Sequence, residues 1–386
     1  MERIYLDNAS TTKIDSSVLE AMMPFLTDKF GNASSTHSFG KTAKVLLEDT
    51  RDLIALSIGV TPPEIFFTSG GTESNNFAIK GIAAGLFGSK KNHIISSLAE
   101  HSAVLDTLKY IETKFGLDVT YLKPIPGGAI DPADVENAVK DNTLLIALMH
   151  SNNETGAITD IKKIADIAHS GEIVLHTDTV QSFGKLRLNI KELGSDTAII
   201  SAHKIYGPKG ISALYIKKGT HVEKFLHGGM QERDMRGGTE NIPAIAGFKR
   251  AVEMVNERLN QDVAHYLNLR ENLIRDLKSN FGEAVRFNSL TDNEMALPNI
   301  LNFSFDKNLV EFDDEMLLIQ LDLKGIAVSG GSACTSGTHK SSHVLLALGY
   351  DAKSALGAIR VSFGRDNTLD DVEKFVIALK EIVRAK

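Results

Sequence analysis

The sequence predicts an α/β fold: a large domain with a mainly parallel central sheet, followed by a smaller C-terminal α+β domain. Two observations lead to this prediction. Short apolar runs typical of strands alternate with helical patterns, which is the arrangement of βαβ units. A helical pattern then extends from Asn241 to about Asn280, which is long enough to connect a large domain to a small one.

The elements of the large domain follow one another in the order that βαβ units require. Sheets of this kind bind their ligands at the carboxyl ends of the strands. The predicted elements are a helix over 42–58, strands at Ile65–Thr68 and 144–150, a helix over 160–169, and strands at 173–175, 198–201 and 213–216.

The C-terminal part contains predicted strands at 299–305 and 325–328, and helices follow them. Thr368 and Asp371 have the spacing of a capping box, so the last helix is expected to begin there. We place the large domain at residues 13–258. The small domain comprises 259–386 together with 1–12.

Composition limits the classes of function that need to be considered. The chain has 386 residues, of which 42% are hydrophobic and 24% charged, as in an ordinary globular protein. The net charge of -7 argues against nucleic acid as a partner. No apolar run reaches the roughly 18 residues of a membrane span, and the first residues do not resemble a signal peptide. We therefore expect a cytoplasmic protein that does not bind membranes.

Two polar residues lie at the ends of predicted strands. Lys204 follows the strand at 198–201, where it would face a ligand cleft and could form a Schiff base with a carbonyl cofactor. Asp178 follows the strand at 173–175, and a buried carboxylate there needs a cationic partner such as a protonated pyridine nitrogen. A solvated loop lysine and a helix N-cap aspartate remain the alternative interpretations.

A glycine-rich turn and a lone thiol are further candidates. Gly71 and Thr72 lie in a turn between a strand and a helix, which suits a phosphate but also an ordinary βα turn. Cys334 is the only cysteine, so it can form neither a disulfide within the chain nor a zinc site. It lies in a run of small residues, which favours a reachable nucleophile over a buried hydrophobic residue.

Taken together, these segments resemble the cysteine desulfurases of the NifS/IscS type in the class V aminotransferase superfamily. The resemblance extends from YLDNASTT at 5–12, through HSNNETG, SAHKIYGPKG, RGGTEN and GSACTSG, to AIRVS at 358–362. It implies the fold type I of enzymes that depend on pyridoxal 5'-phosphate (PLP), and therefore PLP as the cofactor.

The resemblance implies a role for each of a set of residues around this cofactor. Lys204 would carry the cofactor as a Schiff base and remove the substrate's Cα proton, and Asp178 would pair with the pyridinium nitrogen. The remaining cofactor contacts would come from Gly71, Thr72, Ser201 and His203 at the phosphate, from Asn153 and Gln181 at the phenolic oxygen, and from Thr239 at the phosphate of the other subunit in a homodimer.

The same resemblance implies the groups that act on the substrate. His101 would stack on the cofactor ring and serve as an acid–base group, whereas Arg360, helped by Asn32, would bind the substrate carboxylate. Cys334 would receive the sulfur. The group that deprotonates the Cys334 thiol stays open between His101 and His339.

The implied reaction converts L-cysteine into L-alanine and a persulfide on Cys334. Acceptor proteins such as an iron–sulfur scaffold would then take the sulfur, for iron–sulfur cluster assembly, tRNA thiolation or both. The alternatives are a selenocysteine lyase or another class V PLP enzyme, and a catalytically silent relative that acts as an assembly partner. Replacement of Cys334 separates a desulfurase from an aminotransferase, because an aminotransferase does not need that thiol.

Overall fold

A computed structural model describes residues 3–85, 90–330 and 341–386. The strands in this part of the chain are β1 Ile4–Tyr5, β2 Ile65–Thr68, β3 His93–Ser97, β4 Asp118–Leu122, β5 Thr143–Met149, β6 Val174–Asp178, β7 Thr197–Ser201, β8 Ser212–Ile216, β9 Val285–Phe287, β10 Ile300–Phe305, β11 Val310–Glu311, β12 Ile326–Ala327, β13 Ile359–Ser362 and β14 Arg384–Ala385.

Helices alternate with these strands through the first two thirds of the chain. They are α1 Ser16–Leu26, α2 Ser38–Ser57, α3 Gly71–Gly85, α4 Ser102–Phe115, α5 Pro132–Ala138, α6 Ile161–Ser170, α7 Ile190–Leu193, α8 Ile242–Phe281, α9 Leu317–Leu323, α10 His343–Ala347, α11 Ala352–Leu356 and α12 Leu369–Ile382.

The central sheet has seven strands in the order β2-β8-β7-β6-β5-β3-β4. Strand β8 is antiparallel to both neighbours, and the other pairings are parallel, so the predicted mainly parallel sheet is confirmed. Every residue of β5 is buried, as expected for a strand with helices on both faces. The carboxyl ends of β5, β6 and β7 therefore lie side by side at one edge.

Local capping determines where the helices begin. Helix α2 begins four residues earlier than the predicted 42, because the His37 side chain accepts a hydrogen bond from the Gly40 amide and caps it. Helix α12 begins with the predicted capping box of Thr368 and Asp371. The Asn241 side chain caps α8, which continues without interruption to Phe281.

Two apolar cores lie on either side of the middle of α8. One includes Val252 and Val255 and packs against the large sheet, whereas the other contains Tyr266 and the C-terminal strands. Strand β1 joins the second core, because it pairs in parallel with β12. The domain boundary at residue 259 stays a prediction. Among the described residues, none of the helices combines the length and apolar composition needed to cross a bilayer.

Candidate active site

The site lies at the carboxyl ends of the parallel strands. Met149, the last residue of β5, is in register with Asp178, the last residue of β6, and Asp178 is in register with Ile199 of β7. Lys204 ends the short 3-10 turn that follows β7. The topology thus places Asp178 and Lys204 on neighbouring strand ends, as the sequence pattern predicts.

Neutral donors hold the Asp178 carboxylate. Asn75 Nδ2 donates to Oδ2 at 2.9 Å, and the Val180 amide donates to Oδ1 at 3.0 Å. Since Asn75 Nδ2 donates to Asp178, the contact of 2.8 Å between Asn75 Oδ1 and His176 Nε2 is one in which the Asn75 oxygen accepts. The imidazole proton of His176 therefore lies on Nε2. Burial lowers the pKa of His176 to about 4, so this ring is neutral at pH 7. The carboxylate is therefore oriented without being neutralised by these three neighbours.

The N-terminal segment connects three of the predicted site residues. The Lys204 ammonium donates to the carbonyl oxygens of Ala9 and, at 2.8 Å, of Ser10. Gln181 Nε2 donates to the same Ala9 carbonyl at 3.0 Å. Arg360 Nη2 donates to Ser10 Oγ at 2.6 Å. Residues 9–10 thus bring Lys204, Gln181 and Arg360 into one cluster.

The guanidinium of Arg360 is buried, with 2% of its side chain exposed. Its Nη2 donates to Asp7 Oδ1 at 2.7 Å, and its Nη1 donates to the Asn153 carbonyl at 2.9 Å. Its Nε has no hydrogen-bond partner within the described part of the chain. A carboxylate ligand could use this donor while sharing the guanidinium with Asp7.

His101 caps α4 and faces the cluster. Its Nδ1 accepts a hydrogen bond from the Ala103 amide at 3.1 Å, so the neutral ring carries its proton on Nε2. Burial lowers the pKa of His101, the Lys204 ammonium acts in the same direction, and Asp178 opposes this effect. A neutral imidazole at this position can donate through Nε2 at pH 7.

A row of hydroxyl groups crosses the ends of β2, β8 and β7, because Ser212 pairs with both Thr68 and Ser201 in the sheet register. The buried Oγ atoms of Ser201 and Ser212 have no hydrogen-bond partner among the described residues. Helix α3 begins nearby at Gly71, where an added Cβ would meet only Val180, at 3.5 Å. Unpaired hydroxyls beside a helix N-terminus suit a phosphate group.

The other predicted residues lie in less enclosed positions. His203 Nδ1 lies 3.2 Å from Thr11 Oγ1, and burial lowers its pKa to about 4. Thr72, Thr239 and Asn32 are exposed in the single chain. Asn153 contributes its carbonyl to Arg360. Cys334 and His339 lie outside the described residues.

Sequence reasoning missed several residues that form the hydrogen-bond network around the site. Asp7, Ala9 and Ser10 lie in YLDNASTT and Glu154 lies in HSNNETG, two of the segments that carry the resemblance. No spacing pattern in the sequence links residues of different segments to one another. The missed residues are Asp7, Ala9, Ser10, Asn75, Glu100, Glu154, His176 and His343.

Comparison with known proteins identifies the family. Residues 4–375 match the family model described as "Aminotransferase class-V". The chain belongs to this family. Among its relatives is the cysteine desulfurase IscS of Dictyoglomus turgidum, 43% identical over 380 residues that cover 98% of this chain and 94% of that protein.

Similar solved structures confirm the predicted fold type I. A NifS-like protein superposes with a TM-score of 0.90 at 37% identity and covers 98% of each chain. A structure described as SspA in complex with cysteine gives a TM-score of 0.82 at 36% identity, covering 93% of this chain and 98% of that one. Both likenesses extend over nearly the whole molecule.

The residues present fit PLP, the cofactor on which class-V aminotransferases depend. Asp178 supplies a carboxylate for a ring nitrogen, and Lys204 supplies a primary amine. Ser201 supplies a buried hydroxyl that has no partner among the described residues. The donor set therefore matches a phosphate-bearing cationic ring at this edge of the sheet.

Proposed function

We infer that the protein is a cysteine desulfurase, which removes sulfur from L-cysteine and releases L-alanine. Its similarity to cysteine desulfurases over nearly its whole length carries this inference. The cluster of Lys204, Asp178 and Arg360 at one sheet edge supports it, because these groups match the amine, carboxylate and guanidinium that the reaction needs.

Pyridoxal phosphate, when bound, supplies a cationic ring that stabilises negative charge at the substrate's Cα. Asp178 would hold the ring nitrogen protonated. Ser201, His203, Gly71 and Thr72 would hold the phosphate, and Gln181 and Asn153 would lie near the phenolic oxygen.

Lys204 would hold and move the proton at Cα. Its amine lies at the end of the turn after β7, and the carbonyls of residues 9–10 orient it. Arg360 would bind the substrate carboxylate through its open Nε donor, with Asn32 as a further contact. His101 would stack on the ring and donate through Nε2.

Cys334 would act as the nucleophile toward the substrate sulfur. The thiolate forms a new S–S bond while the C–S bond of cysteine breaks. The electron pair of that bond stays with the substrate carbon, which takes up a proton, so the products are alanine and a persulfide on Cys334. The thiolate has to be generated near neutral pH, although a free thiol has a pKa of about 8.5.

Assembly and delivery complete the proposal. We expect a homodimer in which Thr239 contacts the partner's cofactor, and the exposure of Thr239 in the single chain is consistent with this. The apolar side chains of Phe30 and Phe39, which are 71% and 49% exposed and have ring centroids 5.5 Å apart, would be covered by the second copy. Acceptor proteins in the cytoplasm, such as an iron–sulfur scaffold, would then take the persulfide sulfur.

Replacement of Cys334 with Ser tests the function most directly. The variant should bind PLP and cysteine as the wild type does, because every proposed cofactor contact remains. Its release of alanine and sulfide from cysteine should fall to background, since a hydroxyl cannot accept sulfur and the chain has no second cysteine. Mass spectrometry with sulfur-labelled cysteine should find the persulfide on wild-type Cys334 alone. Release of sulfide by Cys334→Ser at the wild-type rate would instead indicate a simple lyase.

A further inference from the structure

The residues that follow the segment 331–340 are held by hydrogen bonds. Ser342 Oγ donates a hydrogen bond to Glu154 Oε2. The next residue, His343, contacts the Glu100 carbonyl through Nε2 at 2.9 Å. The chain beyond the cysteine-bearing segment is therefore attached to two separate buried segments of the large domain.

Ser342 also determines where α10 begins. It is the N-cap residue, and its Oγ accepts a hydrogen bond from the Leu345 amide at 3.1 Å. A hydroxyl has a single hydrogen, and here that hydrogen is directed to Glu154. One side chain thus connects the first turn of α10 to the Glu154 carboxyl.

Glu154 itself has little freedom to move. Its side chain is completely buried, and burial raises its pKa, while the hydrogen bond from Ser342 and the neighbouring Arg360 act in the opposite direction. Its backbone amide donates to Asn152 Oδ1 at 2.9 Å, and its carbonyl accepts from Asn302 Nδ2 at 3.2 Å. The backbone of Glu154 is thus fixed and its side chain is buried, so Ser342 is attached to a rigid support.

The residue before Glu154 belongs to the proposed substrate site. The carbonyl of Asn153 accepts from Arg360 Nη1 at 2.9 Å. Asn153 therefore contacts the guanidinium proposed to bind the substrate. The next residue, Glu154, contacts Ser342, which closely follows the segment that contains Cys334. No other role in the proposed reaction accounts for the Glu154 carboxyl.

We propose that Glu154 is a positioning residue: it fixes the start of α10, and with it one end of the segment that bears Cys334, relative to Arg360. The proposal rests on the proposed function, in which Arg360 binds the substrate and Cys334 receives its sulfur. Fixing both to one support reduces the number of relative placements of thiol and substrate. Such a restriction raises the effective concentration of the nucleophile.

The test compares Glu154→Ala and Glu154→Gln with the wild-type holoenzyme after rapid mixing with cysteine. Glu154→Ala should slow the first formation of persulfide on Cys334 by about 10-fold or more, since small misplacements of reacting groups have effects of this size. The KM for cysteine and the absorbance change of the bound cofactor should stay the same, because Arg360 keeps its contacts. Glu154→Gln should restore the rate, since its amide oxygen can accept from Ser342.

Ser342→Ala provides a second way to break the same hydrogen bond without emptying the buried carboxyl position. It should reproduce the slow persulfide formation. The matched control is Ser341→Ala, which removes a neighbouring hydroxyl that donates instead to the Ala352 carbonyl at 2.7 Å. This control should form persulfide at the wild-type rate.

Hydrogen–deuterium exchange gives a readout that does not depend on activity. The Leu345 amide should exchange faster in Glu154→Ala and Ser342→Ala than in the wild type, Glu154→Gln and Ser341→Ala. If Glu154→Ala and Ser342→Ala formed persulfide as fast as the wild type, the positioning role would be wrong and the desulfurase function would stand. An equal loss in Ser341→Ala, or no rescue by Gln, would also overturn it. Absence of persulfide in the wild type would refute the proposed function instead.

Discussion

Two buried arginines lie in contrasting regions of the molecule. Arg51, on α2 in the large core, donates to both carboxylate oxygens of Glu232, at 2.8 and 3.0 Å, and through Nε to Glu48 at 3.3 Å. Arg360, at the strand-end site, is buried to the same degree, but its Nε has no partner in the described chain. The exposed fraction of the side chain does not distinguish the two arginines.

The difference shows that burial alone does not identify a functional arginine. Arg51 finds its hydrogen-bond partners within the protein, and Glu232 also accepts from the Phe67 amide at 2.8 Å. Around Arg360, the Nε donor has no partner within the described chain, and the hydroxyl of Ser201 likewise has none among the described residues. A native structure tolerates such unsatisfied groups mainly where a ligand can complete them.

The largest expected effect is a loss of stability at Arg51. Arg51→Met should lower the free energy of unfolding by about 3–5 kcal/mol, because it leaves the Glu232 carboxylate buried without its partner. Arg360→Met should cost much less, since Asp7 is partly exposed and keeps its bond from Ser10. Urea unfolding of both variants measures the difference.

The double variant Arg51→Met/Glu232→Gln serves as a control for that measurement. It should recover much of the lost stability, because it removes the uncompensated charge. Equal losses in the free energy of unfolding for Arg51→Met and Arg360→Met would contradict the expected difference between the fully paired Arg51 and Arg360, whose Nε has no partner in the described chain.

The next effect concerns substrate affinity. Arg360→Lys should raise the KM for cysteine about 10- to 100-fold, which corresponds to the loss of one hydrogen bond to a charged group. A lysine ammonium cannot reproduce the fork geometry of a guanidinium. Steady-state kinetics with PLP saturating would test this. Cysteamine, which lacks the carboxylate, serves as the control ligand: an equal loss of cysteamine binding would mean that Arg360 acts on something other than the carboxylate.

The smallest effect concerns pH. The buried His176 has a pKa of about 4 in the folded protein, against about 6.5 for an unfolded chain. Between these values the unfolded chain binds a proton that the folded chain does not, so stability falls as the pH decreases from about 6.5 to about 4. This group should account for about 2 kcal/mol of lost stability between pH 7 and pH 5.

The variant His176→Gln measures that contribution, because it cannot titrate in this range. Its stability should fall less than that of the wild type when urea unfolding at pH 7 and pH 5 is compared. The remaining decrease would come from His150 and His203, whose pKa values burial lowers to about 4 as well. If the change in stability between pH 7 and pH 5 were the same in the variant and in the wild type, His176 would not be the buried neutral group that supports Asp178.

The sequence predicts the parts of this molecule that depend on local pattern. The apolar run of Ile65–Thr68 predicts both ends of β2 correctly, and the capping spacing of Thr368 and Asp371 predicts the start of α12. Lys204 and Asp178 were found because strand ends in a parallel sheet meet at one edge. The structure brings these two together as expected.

Contacts between distant segments could not be read in the same way. Residues 9–10 reach Lys204 because β1 pairs with β12, more than 300 residues away in the chain, and because Thr12 donates to the His203 carbonyl. No local pattern encodes either contact. Glu154 was hidden for a related reason: a glutamate in a sequence looks solvated until the fold shows that it is buried. The roles of Thr239 and Asn32 stay predictions.

The pairing of β1 with β12 also has a consequence for biosynthesis. Strand β1 leaves the ribosome more than 300 residues before its partner Ile326 and before the Ser362 carbonyl that accepts from the Asn8 amide. The large core, whose residues end at Val255, can close earlier. At ordinary translation speeds the roughly 320 residues between β1 and Ile326 take about 16 to 64 s to synthesise, and β1 would wait that long for its partner. Because Ala9 and Ser10 follow that strand, the surroundings of Lys204 are completed only after β12 has been made.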